Sequence, residues 1–174
     1  MNAVAAGHKD PEQISNGVAG QFLTFMLAGE EYGIPILKVQ EIKGWDRVTP
    51  IPNTPSYLLG VLNLRGAVVP IMDLRNCFGL PNIDYGPTTV VIVVRMQHED
   101  QSRTVGLVVD AVADVYRLDS DDIQPPPAMG ETRHAEFVGG LATVDAKMVI
   151  LLEIDQLLDF DDMDVTNNDD ASTS

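Results

Sequence analysis

Two short apolar runs separated by two polar residues dominate the middle of the chain. Residues 60–64 read Gly-Val-Leu-Asn-Leu, residues 67–72 read Ala-Val-Val-Pro-Ile-Met, and Arg65-Gly66 lies between them. Runs of this length joined at a glycine predict a β-hairpin, with Gly66 supplying the positive φ of a tight turn. Leu64 is expected to stay in the core, which turns Arg65 outward. A guanidinium held on a rigid hairpin offers a planar fork of donors to carboxylates or carbonyls. Taken alone, an exposed loop arginine is equally a solvated one.

The same pattern predicts the rest of the chain as short strands. Residues 21–28 form one, and 32–36 return as a second, with Pro35 placing it at an edge or a strand end. Residues 36–42 follow no clean period, but Ile36, Val39 and Lys43 on one side predict a short helix stopped by Gly44. Residues 45–51 are extended, and Pro50, Pro52 and Pro55 force a loop after them. Residues 73–78 predict one helical turn with Asp73 as N-cap and Gly79 as stop. Strands follow at 88–96, 103–109, 137–143 and 147–153, and a terminal helix at 154–160. Val108, Val112 and Val115 are expected to continue the apolar pattern, with Asp110 and Asp114 outward. Residues 1–19, the loop from the proline triplet 125–127 to Glu136, and the acidic residues 161–174 have no such pattern. The two termini are expected to be disordered.

Composition narrows the class. The chain has 174 residues, 45% of them hydrophobic, with fourteen Gly and eleven Pro spread along it. That suits one domain, or two small ones, built of many short strands. Net charge is −15, which argues against nucleic acid and against an anionic membrane surface. Charge is unevenly placed. Residues 21–80 hold five acids and five bases, whereas residues 81–159 hold fourteen acids and five bases. Different partners for the two halves would explain this, and so would acidic surface that only aids solubility. The single cysteine, Cys77, cannot make an internal disulfide and is expected to be a buried, inert thiol. With no apolar leader and no run near 20 apolar residues, the expectation is a cytoplasmic protein without membrane insertion.

Candidate chemistry is sparse. His8, His98 and His134 stand in polar surroundings without metal-ligand spacing. Asp119-Ser120-Asp121-Asp122 and Asp161-Asp162 lack the glycine and the terminal glutamate of a calcium loop. Glu30 and Glu31 adjoin at a turn, where acid–base work would need a cleft. No enzyme activity, cofactor or metal site is expected, and a non-catalytic β protein of this size is expected to be a binding module.

Longer motifs carry a resemblance. Asn63-Leu64-Arg65-Gly66 leads into Pro70-Ile71-Met72-Asp73-Leu74-Arg75, and Thr49-Pro50-Ile51-Pro52-Asn53-Thr54-Pro55 precedes it. Upstream stands Glu31-Tyr32-Gly33-Ile34, continued by Ile36, Val39, Glu41 and Ile42; downstream runs Val105-Gly106-Leu107-Val108-Val109-Asp110. Over residues 20–160 the chain resembles the CheW family of bacterial chemotaxis coupling proteins. The resemblance implies an all-β fold with one or two short helices. It implies two packed five-stranded SH3-like β-barrels, about 20–80 and 81–153, with strands partly exchanged and a C-terminal helix at 154–160. It also implies a stand-alone adaptor of a two-component system. Its partners would be the regulatory domain of the histidine kinase CheA and the cytoplasmic tip of methyl-accepting receptors, which recruit it to membrane arrays. The receptor contact would fall on Ile36, Val39, Glu41, Gly60, Asn63, Leu64, Arg65 and Gly66. Ile36, Val39 and Leu64 would line a groove for an apolar helical stripe, with core packing as their other reading. Glu41 and Arg65 would set register by charge, and Gly60 would allow close approach. The kinase contact would fall on Gly44 and Val48. The other function in view is a small-ligand-binding or regulatory barrel in a different receptor–kinase system, which needs a cavity with converging polar groups.

Overall fold

Phe22, Leu23, Phe25 and Leu27 are all buried, so β1 (Gly20–Leu27) is covered on both faces. The computed structural model describes residues 20–98, 100–126 and 137–157. Outside these lie the two expected disordered termini, the end of the expected terminal helix, most of the loop after the prolines, and His8 and His134. Eleven strands are described. After β1 come β2 (Glu30–Pro35), β3 (Val39–Gly44), β4 (Leu58–Leu64), β5 (Ala67–Asp73) and β6 (Val90–His98). They continue as β7 (Gln101–Val109), β8 (Ala111–Leu118), β9 (Ile123–Gln124), β10 (Val138–Val144) and β11 (Lys147–Leu152).

The strands divide into two sheets, and each sheet is the frame of one unit. One unit takes residues up to Lys38 and Ala111–Glu153; its sheet runs β8-β1-β2-β11-β10-β9. The other takes Val39–Asp110 and the residues from Ile154; its sheet runs β3-β6-β7-β5-β4. In the six-stranded unit the β1–β2 hairpin fills the space between β8 and β11, with β2 parallel to β11 through Glu31↔Val149 and Gly33↔Leu151. Phe22, Leu118, Ala142, Val149 and Leu151 form its core on one face. In the five-stranded unit β5 runs parallel to β7, and Val69, Ile71, Val91, Val93 and Val108 form a core.

Three expectations are corrected. The division falls at Lys38/Val39 and Asp110/Ala111 rather than near residue 80, because β1 and β2 complete the sheet of β8–β11. The two-residue β9 adds a sixth strand to one sheet. Residues 36–42 are not a helix: Ile36–Lys38 make one 3-10 turn and Val39 begins β3. Pro35, as expected, closes a strand.

The short helix α1 (Leu74–Cys77) begins where expected. The Asp73 carboxylate accepts from the Arg75 amide at 3.0 Å and from the Tyr85 hydroxyl at 2.8 Å. Burial, then the nearby Asp73 carboxylate, pushes the Cys77 thiol up to about 12. It stays protonated at neutral pH, as an inert thiol should. The last described residues make a 3-10 turn at Ile154–Gln156, with Ile154 and Leu157 buried. The Gln97 amide donates to the Asp155 carboxylate at 2.8 Å and ties this turn to β6. Among the described residues no helix is long and apolar enough to cross a membrane.

Candidate functional site

The β4–β5 ladder closes at Leu64↔Ala67, leaving Arg65 (φ 53°) and Gly66 (φ 88°) as a two-residue loop. Positive φ at both positions is the type I′ geometry, whose twist matches that of the flanking strands. The Gly66 amide donates to Asn63 Oδ1 at 3.0 Å. Asn63 therefore braces the turn from within. Leu64 is half-buried against the core of the five-stranded unit, and the Arg65 side chain is 83% exposed.

Arg65 Nη1 donates to Glu41 Oε1 at 2.7 Å. Glu41 sits on β3, at one end of the strand order, whereas the β4–β5 hairpin lies at the other end. The two ends of the sheet therefore approach each other here, as the bridge between Thr49 and Val61 of β4 also shows. Beneath the ion pair is a groove of about 770 Å³. Val61, Leu64, Val69 and Val93 supply its apolar lining, and residues 101–104 of β7 supply polar groups. Val68, on its rim, is 64% exposed. An exposed pair of this kind contributes about 0.2–1 kcal/mol to stability, so its place is better explained by what it faces than by what it holds together.

Three of the predicted contact residues line one groove. Glu41, Leu64 and Arg65 share the groove. Asn63 and Gly66 lie in the turn beside it. Val39 is half-buried, paired with Val94 in the sheet, and Ile36 belongs to the other unit. Leu64 lines the groove together with Val61, Val69 and Val93. Glu41 and Arg65 bind each other through one guanidinium nitrogen, and the rest of the Arg65 side chain stays exposed. Gly60 is buried, and a Cβ there would strike the Thr49 carbonyl oxygen and carbon and come within 3.0 Å of the Pro50 Cα. The close approach that requires Gly60 is therefore internal. Thr49 and Val61 exchange amide–carbonyl bonds of 3.0 and 2.9 Å beside it. Gly44 is exposed at the end of β3, and Val48 packs half-buried on the core.

Sequence reasoning missed a charged clamp. Arg75 donates to both Asp110 oxygens, at 2.9 and 2.7 Å, and to the Pro81 carbonyl at 2.7 Å. Its side chain is only 11% exposed. The Thr88 hydroxyl donates to the Asp110 carbonyl at 3.0 Å. The signal was an arginine directly after a strand and a capping aspartate, and an aspartate ending the apolar run 105–109. The expected burial of Val112 and Val115 is also corrected: both stand exposed on β8, beside an exposed Asp114.

A family model described as the CheW-like domain matches residues 21–162. The chain belongs to the CheW-like family. It is 44% identical to a chemotaxis protein CheW of Klebsiella aerogenes over 94% of this chain and 96% of that one. It is 36% identical to a chemotaxis protein CheW of Rhizobium meliloti, covering 84% and 91%. The crystal structure of the scaffolding protein TtCheW from Thermoanaerobacter tengcongensis superposes with a TM-score of 0.71. That match is 34% identical and covers 80% of this chain and 92% of that one. The Arg65 hairpin, the Arg75 clamp and β8 all lie inside the span that the CheW-like model matches.

Proposed function

We propose that this CheW-like chain is a non-catalytic adaptor that couples methyl-accepting chemoreceptors to the histidine kinase CheA, so that receptor state controls kinase activity. The observation that carries the reading is the rigid type I′ hairpin, which presents Arg65 at the rim of an apolar-lined groove. A turn braced by Asn63 holds its shape before binding, so little conformational freedom is lost on docking. The receptor tip in this family is a helical hairpin, and an apolar stripe on a helix needs exposed apolar surface to meet it. Val68 offers it near Arg65. For the kinase, β3 is the end strand of its sheet, carries the 43% exposed Ile42, and runs out at Gly44. Exposed strand edges favour docking by a partner's strand. Gly44 and Val48 remain the kinase contact. The adaptor acts in the cytoplasm, held at receptor arrays by its partners.

Arg65→Ala separates the two contacts. The variant is expected to bind a receptor cytoplasmic fragment about tenfold more weakly, the loss typical of one charge-assisted contact. Its affinity for the CheA regulatory domain is expected to stay unchanged. Isothermal titration with each partner checks this. Loss of both contacts would make Arg65 a structural residue.

A further inference from the structure

Residues 158–174 follow the last described turn and carry Asp159, Asp161, Asp162, Asp164, Asp169 and Asp170 with no basic residue. Leu158, Phe160, Met163 and Val165 are interleaved with the first four of these acids. The CheW-like model ends at residue 162, so residues 163–174 lie beyond the matched family span.

The point of departure of this tail is fixed. Ile154 and Leu157 are buried, and the Asp155 carboxylate accepts from the Gln97 amide of β6 at 2.8 Å. Gln97 pairs with Ser102 of β7, and Val94 pairs with Val39 of β3. Ser102 and Gln40, the residue after Val39, both line the groove under the Arg65–Glu41 pair. The tail therefore starts beside two walls of that groove, within the same unit. Extended, it spans up to about 55 Å at roughly 3.3 Å per residue, so reach is no obstacle. A tethered segment meets a nearby site at an effective concentration on the order of a millimolar, which lets even a weak contact form.

The groove suits the tail chemically. Arg65 and Arg103 line it against one acid, Glu41, in a chain whose net charge is −15. Arg95, exposed, stands opposite Thr104 of the β7 wall. Guanidinium forks take carboxylates, and Val61, Leu64 and the exposed Val68 offer apolar surface in the same groove.

We propose that residues 158–174 fold back onto this groove, with carboxylates on Arg65 and Arg103 and apolar side chains on Val61, Leu64 and Val68, and compete there with the receptor. Only the identity of the competitor rests on the adaptor reading; the docking has a readout that needs no partner.

The test compares the full-length wild type with a full-length variant carrying Asp161→Asn, Asp162→Asn, Asp164→Asn, Asp169→Asn and Asp170→Asn. Amide shifts by NMR read the docking. Titration with a receptor cytoplasmic fragment and with the CheA regulatory domain reads the competition. The variant is expected to shift amides at 40–41, 61–69 and 101–104 and to leave those of β1, β8 and β10 in place. A peptide of residues 158–174, added to the variant, is expected to return the groove amides toward their wild-type positions. The variant is expected to bind receptor about threefold or more tightly, with kinase affinity unchanged. Unshifted groove amides in the variant would overturn the inference. So would groove shifts in wild type that grow with protein concentration, which would make a second copy the acceptor. Shifted groove amides with unchanged receptor affinity would overturn the competition. If wild type binds no receptor fragment, the adaptor reading fails, and the amide shifts still decide whether the tail docks.

Discussion

Gly60→Ala is expected to lower the unfolding free energy by about 3 kcal/mol or more, a large part of the roughly 5–15 kcal/mol that holds a domain folded. Two costs coincide at this position. The backbone at φ 152° is one that side chains rarely adopt, and the added methyl meets the Thr49 carbonyl and Pro50 backbone, which cannot swing aside. Thr49 is held by its two bonds to Val61, so relieving the clash breaks that bridge. Gly66→Ala is the control. Gly66 also has positive φ, at 88°, but a Cβ there meets nothing within 4 Å. Only conformational strain remains, on the order of 1 kcal/mol. Urea unfolding of both variants checks the pair. Equal losses would mean that Gly60 answers to backbone conformation alone, and that the Thr49–Pro50 segment is not fixed against it.

Arg75→Ala is expected to cost about 1–3 kcal/mol, because a part-buried carboxylate loses two charge-assisted bonds. Asp110 would lose both fork bonds and the Pro81 carbonyl its donor. Asp110→Ala should cost a similar amount through the two fork bonds that the guanidinium loses. The double variant should cost much less than the sum of the two, with a coupling of about 1–3 kcal/mol. Arg65→Ala, at an exposed pair, should cost less than about 1 kcal/mol. A thermal or urea unfolding series on the four variants gives the comparison. Additive losses at Arg75 and Asp110 would remove the clamp from the account.

Much of the fold was legible because its signals are local. The Arg65-Gly66 hairpin, the Asp73 cap and the strand-ending Pro35 each follow from chemistry within a few residues. What was not legible has a common physical cause in β-bulges. Between Val39 and Glu41 the pairing with β6 skips Gln40, which breaks the two-residue alternation of β3. Ile36 and Val39, at the 3-10 turn just before this shift, then read as one side of a helix. A bulge at Ala113 in β8 does the same to Val112 and Val115, which read as core continuation and stand exposed. The boundary between units was hidden for another reason. β2 pairs with β11, more than 110 positions away, and no local pattern announces that partner. At the site, the exposure of Arg65 was legible from the turn, but its engagement with Glu41 was not, because that contact depends on how the sheet brings β3 to the hairpin.

The most direct test of the adaptor account is whether one molecule holds both partners. Purified full-length protein would be mixed with a receptor cytoplasmic fragment and the CheA regulatory domain, and the complexes resolved by analytical ultracentrifugation. The account predicts a ternary species that needs all three components and is lost with Arg65→Ala, while the binary complex with the kinase domain persists. Competition between receptor fragment and kinase domain for the same protein, with no ternary species at any concentration, would contradict it.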